Sequence, residues 1–417
     1  MTVKAQTNNR TLSFLHFGGN VLFFLLIFVI MLDPTARVLH LKDWVFMLFV
    51  AYNVLFLRPE FRYVPHLVIL FSTITVAYLL AEIQGNSLDY DQLLSVYKSF
   101  SPLVLLLWIK HYKVIRISLL PGGLLALFIT ILYIAASSNP VIERAIYLFV
   151  RQNDDMIMMS HRTFLGFTFF NMYYKSVVSL VFVLFMFYFM IFHKQGGRWK
   201  WLVWAGALMA TFAFLVSGSR STILLPFAVL GFVTYRSLNA HPTAKYFFYP
   251  LLALIALLFI ALIVVLASES SEKSNVIKYG HLASYAQLFT DHPEYLLIGE
   301  GPATKFYSAG FHRMTLLTEW TYIELIRNYG LLALAIMGVM LYPLKRILQD
   351  RNNNLSFGIA ASYIIYFLVA GTNPLLFSST GMIMILSAYS YARELELKDE
   401  QVVNAVGKEH KEMRMIS

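Results

Sequence analysis

Residues 14–32 read FLHFGGNVLFFLLIFVIML, nineteen positions with one histidine, one asparagine and no formal charge. A helix needs roughly 20 residues to cross the hydrocarbon core of a bilayer, so this run is long enough to span it. It exceeds the apolar region of a signal peptide, and no small-residue cleavage site follows it. The run therefore reads as a first membrane span. Similar runs lie near 44–57, 65–81, 93–109, 117–137, 175–192, 201–216, 221–235, 246–267, 328–343, 355–371 and 375–391. Across the 417 residues, 58% are hydrophobic and only 13% charged, too few to coat a soluble body of this size. The expected fold is an all-α polytopic membrane protein of about 11–12 helices, spanning residues 1–392. A charged cytoplasmic tail over 393–417 is expected as a solvated helix or a disordered segment.

The net charge of +10 has a topological reading. With the N-terminus in the cytoplasm, every inside connection before the tail is basic. Lys110–Arg116, His193–Lys200, Arg236–Lys245 and Lys345–Arg351 are the short ones. The opposite connections are neutral or acidic, with one weakly basic exception. This is the positive-inside pattern. It places both termini in the cytoplasm and gives no reason to invoke nucleic acid. The chain has no cysteine, which excludes disulfides, thiolate metal sites and thiol nucleophiles.

Two connections on the outer side are long, about 138–174 and 268–327, and long loops in compact chains tend to carry function. Both mix aromatic, Met and charged residues, which predicts order and partial burial in the interface. Internal repeats of the transporter kind are not evident.

Arg220 stands out in Ser217-Gly218-Ser219-Arg220-Ser221, between two apolar runs of about 15 residues each. Runs that short predict a turn slightly below the outer membrane surface, where an unpaired guanidinium is costly. Arg220 there either grips a phosphate, which its fork suits, or snorkels to the headgroups. Lys98 and Lys175, near outer span ends, are read as snorkelling.

The first long loop carries Glu143, Arg144, Arg151, Asp154, Asp155, His161 and Arg162 among apolar residues, an amphipathic interfacial pattern. Arg151 and Arg162 are candidates for an anion site, with a solvated helix face as the alternative. One Asp pair without further carboxylates is a weak metal signal, and no metal is expected.

In the second loop Tyr279, Leu282, Ala286 and Phe289 recur at helical spacing, and Lys278, His281 and Tyr285 share another face. Asp291-His292-Pro293 stops the helix. Gly299-Glu300-Gly301 reads as a tight turn, since no Lys-Ser/Thr follows to make a phosphate loop. Thr321 and Glu324 fit a capping box, and Arg327 can pair with Glu324. Glu319 sits at the mouth of the next span, as a general base or a solvent-exposed acid.

The ordered combination of Ser-Gly-Ser-Arg220-Ser-Thr-Ile-Leu224, Asp291-His-Pro293 with Gly299-Glu-Gly301, and Thr318-Glu319-Trp-Thr-Tyr322 running into Gly330-Leu-Leu resembles the O-antigen polymerase and ligase superfamily. The likeness covers about Ser217 to Leu341. It implies a bacterial inner-membrane glycosyltransferase of polysaccharide (lipopolysaccharide) biosynthesis. Its substrates would be undecaprenyl-pyrophosphate-linked oligosaccharides met on the periplasmic side. No nucleotide or other cofactor is implied, and a chain-length regulator is a candidate partner. His281 stands where the family often has Arg, with Lys278 able to supply the charge. Ligases carry His where this chain has Glu319, which favours polymerase.

On that expectation Arg220, helped by Arg162 or Arg313, stabilises the leaving pyrophosphate. Glu319 takes the acceptor proton, with His281 or His312 as the alternative base. Arg151, Lys278, Tyr285, Tyr322 and Arg327 complete the substrate contacts. The competing readings are a ligase acting on lipid A core and a transporter of lipid-linked or small solutes.

Overall fold

The computed structural model describes residues 2–86, 88–153, 156–164, 167–195, 197–238, 250, 257, 273–372 and 375–416. The chain is an all-α polytopic membrane protein, 78% helical. Among the described residues, seven helical segments are long and apolar enough to cross a membrane: Leu15–Leu32, Phe61–Ile83, Tyr90–His111, Val114–Ser138, Lys175–Phe192, Gly197–Val216 and Thr321–Gln349. Ser221–Arg236 and Asn354–Ala370 are shorter apolar helices. The expected span at 246–267 lies outside the described residues.

In chain order the helices are α1 (Thr2–Leu32), α2 (Lys42–Phe56), α3 (Val64–Ile83), α4 (Tyr90–Phe100), α5 (Val114–Ser138), α6 (Pro140–Gln152), α7 (Val181–Phe192), α8 (Lys200–Val216), α9 (Arg220–Leu238), α10 (Lys273–Asp291), α11 (Thr321–Tyr329), α12 (Ala333–Gln349), α13 (Asn354–Ala370) and α14 (Ser379–Ile416). The segment expected as one span at 93–109 is two pieces. α4 is α-helical, and Ser101–His111 continues as a 3₁₀ helix from the Pro102 position, where the chain lacks an N–H donor. A 3₁₀ helix rises about 2.0 Å per residue, so this inner half covers more depth than its length suggests.

The core is packed around α7, whose Val181–Phe185 are all buried. Its neighbours reach it through glycine. A Cβ at Gly206 of α8 would lie 2.6 Å from the Phe187 ring, and one at Gly122 of α5 would lie 2.6 Å from Val183. Between lipid-embedded helices association rests on such close packing, because lipid tails are as apolar as Leu.

Both long loops emerge at one end of the bundle. The first contains α6 and a hairpin of β1 (Ile157–Phe164) and β2 (Phe167–Tyr174), in antiparallel register from Ile157–Tyr174 to Phe164–Phe167. The second contains α10, one helical turn at Tyr295–Ile298, and a hairpin of β3 (Phe306–Ser308) and β4 (Arg313–Thr315). These two hairpins are the β structure that helical hydropathy does not foresee.

The opposite end is tied by Arg393, whose side chain is buried beside Glu60 (2.6 Å), Glu400 (2.8 Å) and Glu396 (3.3 Å). Glu396 also takes Arg62 at 3.0 Å and the Tyr63 hydroxyl at 3.2 Å. The tail begins as a continuation of α14 anchored by this network. Arg393→Met should cost about 3 kcal/mol, because it leaves the largely buried Glu60 without its counter-charge. A thermal melt of the detergent-purified protein measures this, and an unchanged midpoint would show that the network does not stabilise the fold.

Candidate functional site

α10 ends where Pro293 requires, with the His292 N–H still bonded to the Leu288 carbonyl. Its outcome is the reverse of a simple amphipathic helix. Tyr279 and Ala286, from the apolar series, face outward. The polar series, Lys278, His281, Ser284 and Tyr285, faces the rest of the second loop. Gly280 permits this contact, since a Cβ there would lie 2.5 Å from the Gly310 backbone nitrogen in the β3–β4 turn.

Each residue on that face has a defined partner. Lys278 pairs with Glu319 at 3.4 Å, and its carbonyl accepts from the Trp320 indole at 3.2 Å. His281 is fully buried, its Nδ1 2.7 Å from the Ser308 hydroxyl and its ring edge-on to Phe311. His281 Nε2 is buried without a partner among the described residues. Ser284 accepts from the Ala309 N–H at 2.7 Å. Tyr285 shares a hydrogen bond with Thr318 at 2.6 Å and donates to Glu324. Glu319 itself stays about one-third exposed. His312 and Arg313 stand exposed just beyond Phe311, with the Arg313 guanidinium 5.6 Å from that ring.

The first loop reaches the same place. Tyr173 of β2 has a buried hydroxyl with no partner among the described residues. Burial, and after it the charge of Glu319, pushes its phenol above the usual range. Two residues back on the same strand face, Asn171 packs against Gly218, where φ is +68° and a Cβ would lie 2.6 Å from the Asn171 Cβ. Asn171 is oriented by Ser160, which donates to it at 2.7 Å. One strand face thus meets the Ser217–Ser221 turn and the field of Glu319 at points about 7 Å apart, two strand residues.

Arg220 is the first residue of α9. A helix N-terminus presents free N–H groups and partial positive charge, so a cation is out of place there unless an anion joins it. α8 and α9, at 17 and 19 residues, are longer than the apolar runs that mark them. The Arg220 and Arg162 side chains, and Asp154 and Asp155, lie outside the described residues. The backbone of Arg162 is in β1, opposite Phe169.

Other expected site residues are held elsewhere. Arg327 is fully buried and taken up internally by Glu324, Glu300, Thr304 and the Leu316 carbonyl. Its expected pairing with Glu324 is present. The capping box is not: α11 starts after Trp320 without a side-chain cap, because Arg327 and Tyr285 draw Glu324 into the interior. Tyr322 donates to the Phe367 carbonyl at 2.6 Å and lies against Gly371. Arg151 is exposed at the end of α6. Among the described residues no three His, Asp or Glu side chains converge as metal ligands would.

Asn171, Tyr173 and Glu300 were missed by sequence reasoning. Period-two reading of Asn171-Met172-Tyr173-Tyr174 would have put Asn171 and Tyr173 on one face. Comparison of the chain with protein-family models, curated proteins and solved structures finds no match.

Burial lowers the pKa of His281, opposed by Glu319 and Glu324 and reinforced by Lys278. Its folded value therefore lies below the unfolded one of about 6.5. The neutral ring supports the loop above that pH, and the support is lost as pH falls through the folded value. Hydrogen-exchange protection over residues 273–318, taken relative to the intrinsic rate at each pH, should fall on acidification through this window. His281→Asn should abolish that step, and an unchanged acid profile in the variant would assign the step elsewhere.

Proposed function

We propose that the chain is a membrane-embedded glycosyltransferase, an O-antigen or surface-polysaccharide polymerase. It would join polyprenyl-pyrophosphate-linked oligosaccharide units at the periplasmic face of the bacterial inner membrane. The observation that carries this reading is the strand face of Asn171 and Tyr173, which meets both the Arg220 turn and the field of Glu319. That arrangement suits a reaction with a leaving phosphate at one point and a proton acceptor at the other. The motif resemblance supplies the substrate class. The basic connections at the end opposite the loops supply the orientation, with both termini cytoplasmic.

The acceptor hydroxyl attacks the anomeric carbon of the donor. The new C–O bond forms as the bond to the pyrophosphate oxygen breaks, and the electron pair leaves on the lipid pyrophosphate. Arg220 and the N-terminus of α9 stabilise the charge growing there, which is the kind of term that dominates many rate enhancements. Glu319 takes the hydroxyl proton while Lys278 holds its carboxylate in place. His281, buried with an open Nε2, is the second candidate base. A single in-line displacement inverts the anomeric centre.

The test is complementation of a polymerase-deleted host that makes the cognate repeat unit. Wild type should restore a polysaccharide ladder on a gel. Arg220→Ala at matched membrane expression should lower polymerisation about 10²–10³-fold. A single repeat on the core with wild type would reject polymerisation of that unit, and rescue of a ligase-deleted host would replace polymerase by ligase. An active Arg220→Ala enzyme would remove Arg220 from the chemistry.

A further inference from the structure

Beside Glu319 a cleft runs between α4 and the second loop, and it has no part in the scheme above. Leu317, two residues before Glu319, lines it and is exposed, and Tyr329, also in the lining, is buried. The walls are fixed in place. Leu88 forms a β-bridge with Thr304, the Asp89 N–H donates to the Ala303 carbonyl at 3.2 Å, and Lys305 pairs with Asp89 at 3.1 Å. The cleft is therefore preformed, which avoids an ordering cost on binding.

Its chemistry is selective. On α4, Gln92, Ser95 and Ser99 lie at helical spacing and all line the cleft. α4 is the outer part of a segment apolar enough to span a membrane. A polar stripe turned to lipid there would be unsatisfied, whereas one turned to a hydrated cleft is not. Ser99 donates to the Ser95 carbonyl at 2.9 Å, which leaves its oxygen free to accept. From the facing side Asn328 donates to Glu324 at 3.3 Å, and its Oδ1 is buried without a partner among the described residues. That atom is an acceptor waiting for a hydroxyl or N–H donor, since buried polar atoms are ordinarily paired. Among the described residues no ionised side chain lines the cleft. It lacks the cations a pyrophosphate needs. Its four amide and hydroxyl side chains stand among apolar and aromatic residues, a mixture that matches the hydroxyls and apolar ring faces of a sugar better than a wholly apolar isoprenoid chain.

We infer that this cleft is a saccharide subsite. It holds uncharged sugar units of the substrate, with Gln92, Ser95, Ser99 and Asn328 hydrogen-bonding their hydroxyls and Tyr329 and Phe377 offering apolar surface to the ring faces. The assignment of its occupant as part of a lipid-linked glycan rests on the glycosyltransferase reading. Its lining by Leu317, two residues from Glu319 in the chain, makes it the place we assign to units beyond the reacting sugar.

The absence of cysteine allows a test that needs no turnover. Ser95→Cys and Ser99→Cys each introduce the only thiol, and gel filtration selects folded protein. A charged, membrane-impermeant maleimide should label both thiols in nanodiscs. Lipid-free oligosaccharide, released by mild acid from the lipid-linked pool of the native cells, should slow labelling about tenfold at about ten times its Kd. Geranyl phosphate should not slow it. Failure of folded protein to label would show a dry, lipid-facing wall and overturn the proposal. Labelling without protection, or protection by geranyl phosphate alone, would overturn it as well. Protection without a polymer ladder in the complementation would keep the saccharide site and reject the polymerase. A ladder without protection would reject only the cleft.

Discussion

The guanidinium of Arg327 is fully buried at the loop end of a membrane protein, and its burial is possible only because every side of it is occupied. Glu324 and Glu300 neutralise it, the Thr304 hydroxyl and Leu316 carbonyl take further N–H groups, and the Phe306 ring covers it at 4.5 Å. A buried ion pair is weak evidence of net stabilisation over an apolar replacement, but loss of one partner leaves a stranded charge. The cluster therefore works as a register lock. It admits one arrangement of α11 against the Gly299–Thr304 turn and the end of the β3–β4 hairpin.

The other contacts of the loop end follow from that lock. The Glu300 N–H donates to the Arg327 carbonyl at 2.6 Å, and the Glu300 carbonyl accepts from Asn86 at 2.7 Å, so the α3–α4 connection is fastened to the same turn. Gly301, at φ +111°, lies against Ala81 of α3 where a side chain would not fit. Glu324 has its other oxygen on Tyr285, which draws in α10 and with it His281 and Lys278. Arg393 does the corresponding work at the tail end, holding α14 to the start of α3 through Glu60. Two charged knots thus close a bundle whose middle is held by apolar packing on α7.

This division has a consequence for chemistry. With Arg327 saturated, the cation for the proposed pyrophosphate must come from elsewhere, and Arg220 at the head of α9 is the one we propose. With Glu324 saturated, the acid left partly open is Glu319. The hairpin of the first loop brings these two neighbourhoods onto one strand face. The Ser217–Ser221 turn and Glu319 thus belong to the loop end, while the tail end carries ion pairs.

Hydropathy alone marked the described spans, because burial in lipid requires about 20 apolar residues in sequence and leaves a local trace. The stop of α10 at Asp291 was legible for the same reason, since Pro293 acts on its immediate neighbour. So was the pairing of Glu324 with Arg327, three residues apart on one helix. The capping box was a local pattern that a stronger distant partner overrode. Glu300 with Arg327 and Tyr285 with Glu324 join segments 27 and 39 positions apart. No spacing rule in a single sequence encodes them. The sequence by itself determined that the chain is a helical membrane protein with its unusual polar residues in two long loops and the Ser217–Ser221 turn. Only the tertiary structure decided which of those residues neutralise one another and which remain open, because that depends on desolvation and distance between groups that chain order keeps apart.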